Sequence, residues 1–220
     1  FGGATRGGPK FAYDYCVQKI SFEQCKSLDL SAWSVAFTGA EPIQAQTLRR
    51  FAEKFSSYGF QQKSFYPCYG LAEATLFVAG GNAASSPKVI SVSQSALTQG
   101  HICEPSNDFA VQDTAQDVKE IVSCGRSYNQ RATSQPADCK DIAIVDPQTK
   151  IICAPNQVGE VWVSGESVST GYWNRVETTQ ATFNQTLESC SHTFLRTGDL
   201  GFLKAGELFI TGRLKDLIVI

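Results

Sequence analysis

The chain has 220 residues, 42% hydrophobic and 18% charged, enough apolar material for one sizeable core or two small ones, which excludes a disordered polymer. Lys and Arg number 19 against 21 Asp and Glu, so a formal net charge of -2 offers no basic field to nucleic acid or an acidic membrane, and small-molecule or protein partners are favoured. The eight cysteines are scattered without a Cys-x-x-Cys pair and only two histidines accompany them, so neither a zinc cage nor a redox dithiol is indicated; reduced thiols in the cytoplasm fit best, although the even number leaves bridges open.

No signal-peptide pattern is present, and no apolar run approaches the ~20 residues of a membrane helix. Residues 1–9 are glycine-rich but lack the Gly-Lys-Ser/Thr ending of a phosphate loop, and read as a flexible loop. Phe11 to Ile20 has the spacing of an amphipathic helix, with Phe11, Tyr15 and Cys16 as its apolar side chains. Trp33 to Thr38 reads as a buried strand, followed by the turn Gly39-Ala40-Glu41-Pro42 and a helix from Ile43 to Phe55. A strand, a glycine turn and a helix leave main-chain groups at a strand end, where a flat ligand can be gripped, or they form an ordinary connection. Phe65-Tyr66 reads as a second strand ended by Pro67, with Gly70 turning the chain into a short helix from Leu71 to Val78. There Tyr69 could lie flat on a planar base while Glu73 holds a hard cation, a pairing that suits ATP with magnesium; the alternative is an aromatic core strand followed by a solvated glutamate. Strand, helix, strand and helix over residues 35–78 predict a parallel sheet with crossover helices.

Beyond Val78 the composition changes. A loop through Gly80, Gly81, Asn82 and Ser85-Ser86-Pro87 precedes a short strand from Val89 to Val92, and Ser93 to Glu120 is polar and irregular, the mark of a functional insertion or a mobile loop. From Ile121 short strands dominate: Ile121–Arg126, Asp141–Val145, Ile151–Cys153 and Gly159–Gly165, suggesting a small barrel or sandwich. A helix follows from about Glu177 to Phe183. Asp199, in Leu195-Arg196-Thr197-Gly198-Asp199-Leu200, sits on what reads as a tight turn, where a carboxylate can accept from a vicinal diol or bond its own backbone. Lys204-Ala205-Gly206-Glu207 reads as a hairpin turn, Arg213 as a surface ion-pairing residue, and Leu217 to Ile220 as an apolar strand. With Phe1 first and no terminator after Ile220, the chain reads as an excised piece of a longer protein.

Several of these stretches share one resemblance. Tyr69-Gly70-Leu71-Ala72-Glu73-Ala74-Thr75 resembles the Tyr-Gly-x-x-Glu segment of the adenylate-forming superfamily, which includes acyl-CoA synthetases, peptide-synthetase adenylation domains and fatty acyl-AMP ligases. Gly39 to Pro42, Gly159 to Tyr172, Arg196 to Leu200 and Gly212 to Asp216 are similar to further segments of that superfamily, in family order. Phe65-Tyr66-Pro67-Cys68 and Gly8-Pro9-Lys10-Phe11-Ala12-Tyr13-Asp14 look most like the fatty acyl-AMP ligases, with Lys10 where that family has asparagine near its acyl pocket.

The resemblance implies an α/β fold, a parallel sheet with crossover helices over residues 1–84 followed by a β-rich barrel-like subdomain over 85–215, and a hinge at 216–220. It implies that Gly39, Ala40 and Glu41 wall an adenine pocket with Tyr69 and Gly70, and that Glu73 is the catalytic, Mg-holding carboxylate. Asp199 would bind the ribose hydroxyls and Arg213 the ribose and phosphate side, with Asp216, less so Lys215, as hinge. Residues 93–120 match in position an insertion thought to restrain the swing of a C-terminal domain. The reaction implied joins a fatty acid to ATP as acyl-AMP and pyrophosphate, then passes the acyl group to an acyl carrier protein. A fatty acyl-CoA synthetase and a non-catalytic nucleotide-binding module are the alternatives. Neither a phosphate loop ending in Pro-Lys nor a C-terminal domain with its catalytic lysine is found, so the chain alone is expected to be inactive.

Overall fold

The computed structural model describes residues 3–83, 85–104, 117–127, 141–188 and 190–216. Its first sheet is built from β1 (Thr5–Gly7), β2 (Val35–Thr38), β3 (Phe65–Tyr69), β4 (Ala79–Gly80) and β7 (Arg126–Ser127), in that order. β1, β2 and β3 are parallel, while β4 and β7 add antiparallel pairs. Helices α1 (Lys10–Lys19) and α3 (Ala45–Phe55) cover one face, and α2 (Phe22–Cys25) is a short turn capped by Ser21. The core between them is aromatic: Tyr13, Phe51, Phe55, Phe60 and Phe65 are each at most 3% exposed, and Phe51 meets the other four rings at centroid distances of 4.5–5.9 Å. Burying each such ring contributes about 1.5–3 kcal/mol.

Several local expectations are corrected, beginning with the loop expected over residues 1–9, where Thr5–Gly7 forms β1 and pairs with β2. α1 forms, but Phe11 and Tyr15 are 64% and 61% exposed; the inward stripe is buried Tyr13 with partly buried Cys16, Val17 and Ile20, the i, i+3, i+4, i+7 set that packs into the core with α3. Pro67 does not end β3, because it lies where the strand passes from its parallel neighbour to its antiparallel one, and its carbonyl still accepts from the Gly81 N–H at 2.9 Å. Leu71 to Val78 is not a helix. After one 3-10 turn at Ala72–Ala74, Thr75 and Leu76 turn left-handed (φ 52° and 78°), Leu76 N–H bonds back to the Leu71 carbonyl, and Val78 N–H reaches the Tyr69 carbonyl to start β4. Asp199 does not sit on a tight turn either, but at an irregularity inside a long strand.

That strand is β11 (Thr193–Lys204), the centre of the second, antiparallel sheet. β8 (Ile142–Val145), β9 (Gly159–Val163), β11 and β10 (Gln185–Thr186) follow one another, and β12 (Glu207–Arg213) pairs β11 as the expected hairpin. α5 (Val176–Thr182) precedes β10. All five residues of β9 are buried because both faces of the sheet are covered. Val161 and Val163 pack with Ile142, Ile144 and Leu195 against Tyr69 of β3 and Ala74 and Val78 of the segment joining β3 to β4, and Trp162 packs on the other side with Ala143, Val145 and Phe194. The first of these clusters fixes the first sheet to the second.

A third, two-stranded sheet of β5 (Val89–Ser93) and β6 (Val118–Val122) packs Val92 and Ile121 on Phe202 and Phe209 of the β11–β12 hairpin. The expected irregular stretch from Ser93 begins with a short helix, α4 (Gln94–Thr98), and its ends meet: Ser93 pairs Val118 across the ladder, and the Asp117 carboxylate accepts from the Ser93 and Ser95 hydroxyls and the Ser95 N–H. Residues 105–116, the middle of the expected insertion, lie outside the described residues, as does the expected strand at Leu217–Ile220. Among the described residues seven cysteines are free, and no helix is long and apolar enough to cross a membrane.

Candidate nucleotide-binding site

β2 and β3 are parallel neighbours, so the Gly39 turn and Tyr69-Gly70 leave the sheet side by side at its carboxyl edge. At such an edge of an open α/β sheet the diverging loops form a crevice. Gly39 lies against β3 so closely that a Cβ there would stand 2.8 Å from the Cys68 carbonyl oxygen and 3.0 Å from its sulfur. Ala40 is held at φ 66°. The carboxylate of Glu41 is committed elsewhere: its Oε1 accepts from the Phe11 N–H at 2.8 Å, tying the turn to the first turn of α1. Gly70 sits against the carbonyl of Leu76, which leaves no room for a side chain.

Tyr69, Asp199 and Arg213 are brought together from both sheets. The Tyr69 hydroxyl donates to Asp199 Oδ2 at 2.6 Å, and Arg213 Nε donates to Asp199 Oδ1 at 2.9 Å. Asp199 and Arg213 are cross-strand partners of β11 and β12, so the hairpin sets their separation. Tyr69 is 9% and Asp199 7% exposed, while the Arg213 side chain is 70% exposed and forms the rim. Burial, reinforced by the neighbouring Asp199 carboxylate, drives the Tyr69 phenol far above the ordinary tyrosine range, so it remains a donor. Tyr69, expected to offer its ring face to a base, is packed in the core between the two sheets, and its hydroxyl holds Asp199.

The conformation that presents Asp199 is local to β11. Its ladder with β9 breaks between Arg196 and Leu200, where Gly198 adopts φ 72°. This left-handed backbone favours glycine. Side chains replace the missing ladder bonds: Thr197 Oγ1 donates to the Val161 carbonyl at 2.7 Å, and the Asp199 N–H donates to Thr197 Oγ1 at 3.1 Å.

Glu73 is half-buried on the 3-10 turn and is clamped by the loop after β9. Its Oε1 accepts from the Tyr172 hydroxyl at 2.6 Å, its carbonyl accepts from the Ser169 N–H at 2.8 Å, and Thr75 Oγ1 donates to the Ser167 carbonyl at 2.6 Å. Burial, then the hydrogen bond to Glu73 and its charge, push the Tyr172 phenol up to about 12. Lys215 and Asp216 lie exposed on the 3-10 turn Leu214–Asp216 that follows Arg213.

The sequence reading passed over Tyr172 as the partner of Glu73. It also passed over Glu160, a carboxylate 1% exposed inside β9 that pairs with Arg196 of β11 at 2.9 Å. The available signal was a charged residue in each of two otherwise apolar strand segments, Gly159-Glu160-Val161-Trp162-Val163 and Phe194-Leu195-Arg196.

A family model described as AMP-binding enzyme matches residues 7–173. The chain belongs to this AMP-binding enzyme family. It is 44% identical over 214 residues to a medium-chain-fatty-acid acyl-carrier-protein ligase of Moorena producens, covering 97% of this chain and 34% of that protein. To a long-chain-fatty-acid–AMP ligase of Mycolicibacterium smegmatis it is 36% identical, over 100% of this chain and 34% of the relative. Among solved structures, a fatty acyl-adenylate ligase from L. pneumophila in complex with acyl adenylate and pyrophosphate superposes with a TM-score of 0.85 at 40% identity, over 99% of this chain and 35% of that one. The chain thus spans about a third of the length of the curated relatives it matches. The α/β fold with a mixed first sheet and antiparallel sheets behind it is the fold of these AMP-binding relatives.

Proposed function

We propose that this AMP-binding chain is the nucleotide-holding part of a fatty acyl-AMP ligase. The enzyme joins a fatty acid to ATP as acyl-AMP and pyrophosphate, and passes the acyl group to an acyl carrier protein. Support for the substrate class comes from the relatives, whose names describe fatty-acid ligases of the carrier-protein and AMP types.

The observation that carries the nucleotide assignment is Asp199. Each of its carboxylate oxygens accepts one protein hydrogen bond, from Tyr69 and Arg213, which leaves acceptor capacity on both oxygens for the two hydroxyls of a ribose. The Gly39-Ala40 turn and Tyr69 flank the same crevice and take the adenine, Glu41 braces that turn through α1, and Arg213 at the rim faces the phosphates. The fatty carboxylate attacks the α-phosphorus, and pyrophosphate leaves. Such a transfer depends on positioning and charge neutralisation and needs no protein nucleophile.

Among the described residues no group of three or more His, Cys, Asp or Glu could hold a metal ion. A lone half-buried carboxylate nevertheless fits Mg²⁺, which keeps its waters and is bound by one or two carboxylates plus substrate phosphates. Glu73 would hold it, Tyr172 orients that carboxylate, and the ion would neutralise phosphate charge. Asp216 serves as the hinge of the remaining enzyme, and the insertion from Ser93 to Glu120 restrains the swing of its C-terminal domain.

The test is fatty-acid-dependent exchange of pyrophosphate into ATP by the full-length enzyme. Wild type exchanges, Asp199→Asn raises the KM for ATP about tenfold or more, and Glu73→Gln lowers kcat. Exchange unaffected by either substitution would contradict the assignment. The 220-residue chain alone is expected to show none.

A further inference from the structure

Glu160 is an unusual residue for the middle of a buried strand. It is 1% exposed, and four donors converge on it. Oε2 accepts from Arg196 Nε at 3.0 Å, Arg196 Nη2 at 2.9 Å and Trp162 Nε1 at 3.0 Å; Oε1 accepts from the backbone N–H of Gly198 at 3.1 Å. A buried ion pair is weak ground for stability, since apolar side chains of similar volume often serve as well. What an apolar side chain could not supply is the acceptor for Gly198.

That acceptor lies where β11 has left its ladder. Between Arg196 and Leu200 the pairing of β11 with β9 is interrupted, and Gly198, at φ 72°, is the residue with the widest conformational freedom. Two side-chain anchors span the gap: Thr197 Oγ1 on the Val161 carbonyl, and the Gly198 N–H on Glu160. Arg196, which also lies over the Trp162 ring at 5.8 Å, fixes the carboxylate so that Oε1 points at Gly198. Asp199 is the next residue.

We infer that Glu160 is a positioning residue that sets the ribose selectivity of the site by locking the Gly198 backbone and so the aim of Asp199, without itself touching the nucleotide. This rests on the reading of Asp199 as the ribose acceptor. Loss of the anchor lets Gly198 relax, and the carboxylate no longer meets both hydroxyls together.

The experiment compares ATP with 2′-deoxy-ATP and 3′-deoxy-ATP on the full-length enzyme, as KM at saturating fatty acid and as equilibrium binding. Wild type prefers ATP over either deoxynucleotide by about tenfold or more, the worth of a hydrogen bond to a charged acceptor. Glu160→Gln, whose single amide oxygen cannot accept from the Gly198 N–H and from Arg196 and Trp162 as the two carboxylate oxygens do, loses most of that preference, with KM for ATP rising and kcat at saturating ATP changing less. Because Glu160→Gln strands the Arg196 charge, a second variant carries Glu160→Met with Arg196→Met, which removes the pair without leaving a buried charge, and it loses the preference too. A merely structural role lowers the active fraction and leaves the ATP-to-deoxy-ATP ratio at the wild-type value; that result in either folded variant overturns the inference. A wild-type enzyme that exchanges pyrophosphate yet binds all three nucleotides equally overturns the ribose role of Asp199, and the positioning role with it.

Discussion

The hydroxyl of Tyr69 and the carboxylate of Asp199, 130 positions apart in the chain, share a buried 2.6 Å hydrogen bond. Tyr69 ends a strand of the first sheet and Asp199 lies in the central strand of the second, so the bond crosses the packed boundary formed by Ala74, Val78, Val161 and Leu195. The geometry of the proposed nucleotide site therefore depends on the packing of the two sheets, since Tyr69 comes from one and Asp199 from the other.

Tyr69→Phe separates these roles. The ring keeps its packing, while Asp199 loses one of two charge-assisted partners, at a cost of about 1–3 kcal/mol of stability. The denaturant midpoint should fall and the KM for ATP should rise about threefold to tenfold. Unchanged ATP binding in the folded variant would show that Tyr69 does not orient Asp199.

The Tyr172–Glu73 bond gives the fold an alkaline signature. Burial and the Glu73 carboxylate raise the Tyr172 phenol to about 12, so folding favours its protonated form. The stabilisation is complete below the ordinary tyrosine pKa of about 10 and is lost as pH rises through the folded value. Stability should decline between about pH 10 and pH 12, with the decline shallower in Tyr172→Phe, as followed by denaturant unfolding across that range. Tyr172 is 37% exposed, which keeps the effect small. Identical profiles for the two proteins would remove the clamp on Glu73.

How much of this was legible in the sequence depended on the distance over which each feature is decided. The strand, helix and parallel strand from Val35 to Tyr69 were readable because Leu48, Phe51 and Phe55 repeat on one helical face and because glycine marks the turn. Leu71 to Val78 looks helical because leucine, alanine and glutamate favour helix locally, whereas the Val78 N–H bonds to the Tyr69 carbonyl to begin β4. Pro67 likewise looks like a strand end, since only the sheet order shows that its missing N–H falls between two kinds of neighbour. The motif residues Tyr69, Asp199 and Arg213 were named from resemblance, but the bonds among them were not visible. A charge in each of two apolar strand segments marks Glu160 and Arg196 as unusual, but only the pairing of Arg196 with Trp162 in the β9–β11 ladder shows that the two charges meet.

Gly39→Ala tests the wall of the crevice. Its Cβ would meet the Cys68 carbonyl at 2.8 Å, a backbone atom that cannot swing aside. The turn must shift, at a cost of about 1–3 kcal/mol in thermal stability, and ATP binding should weaken about tenfold or more. A variant that loses stability but binds ATP as wild type would place the adenine elsewhere.

Carrier loading is tested most directly by product analysis by mass spectrometry on the full-length enzyme given ATP, a panel of fatty acids, CoA and an acyl carrier protein together. The expected products are fatty acyl-AMP that persists in the presence of CoA and an acyl group on the carrier protein. Rapid formation of acyl-CoA with no carrier loading would contradict the assignment and identify a CoA synthetase instead.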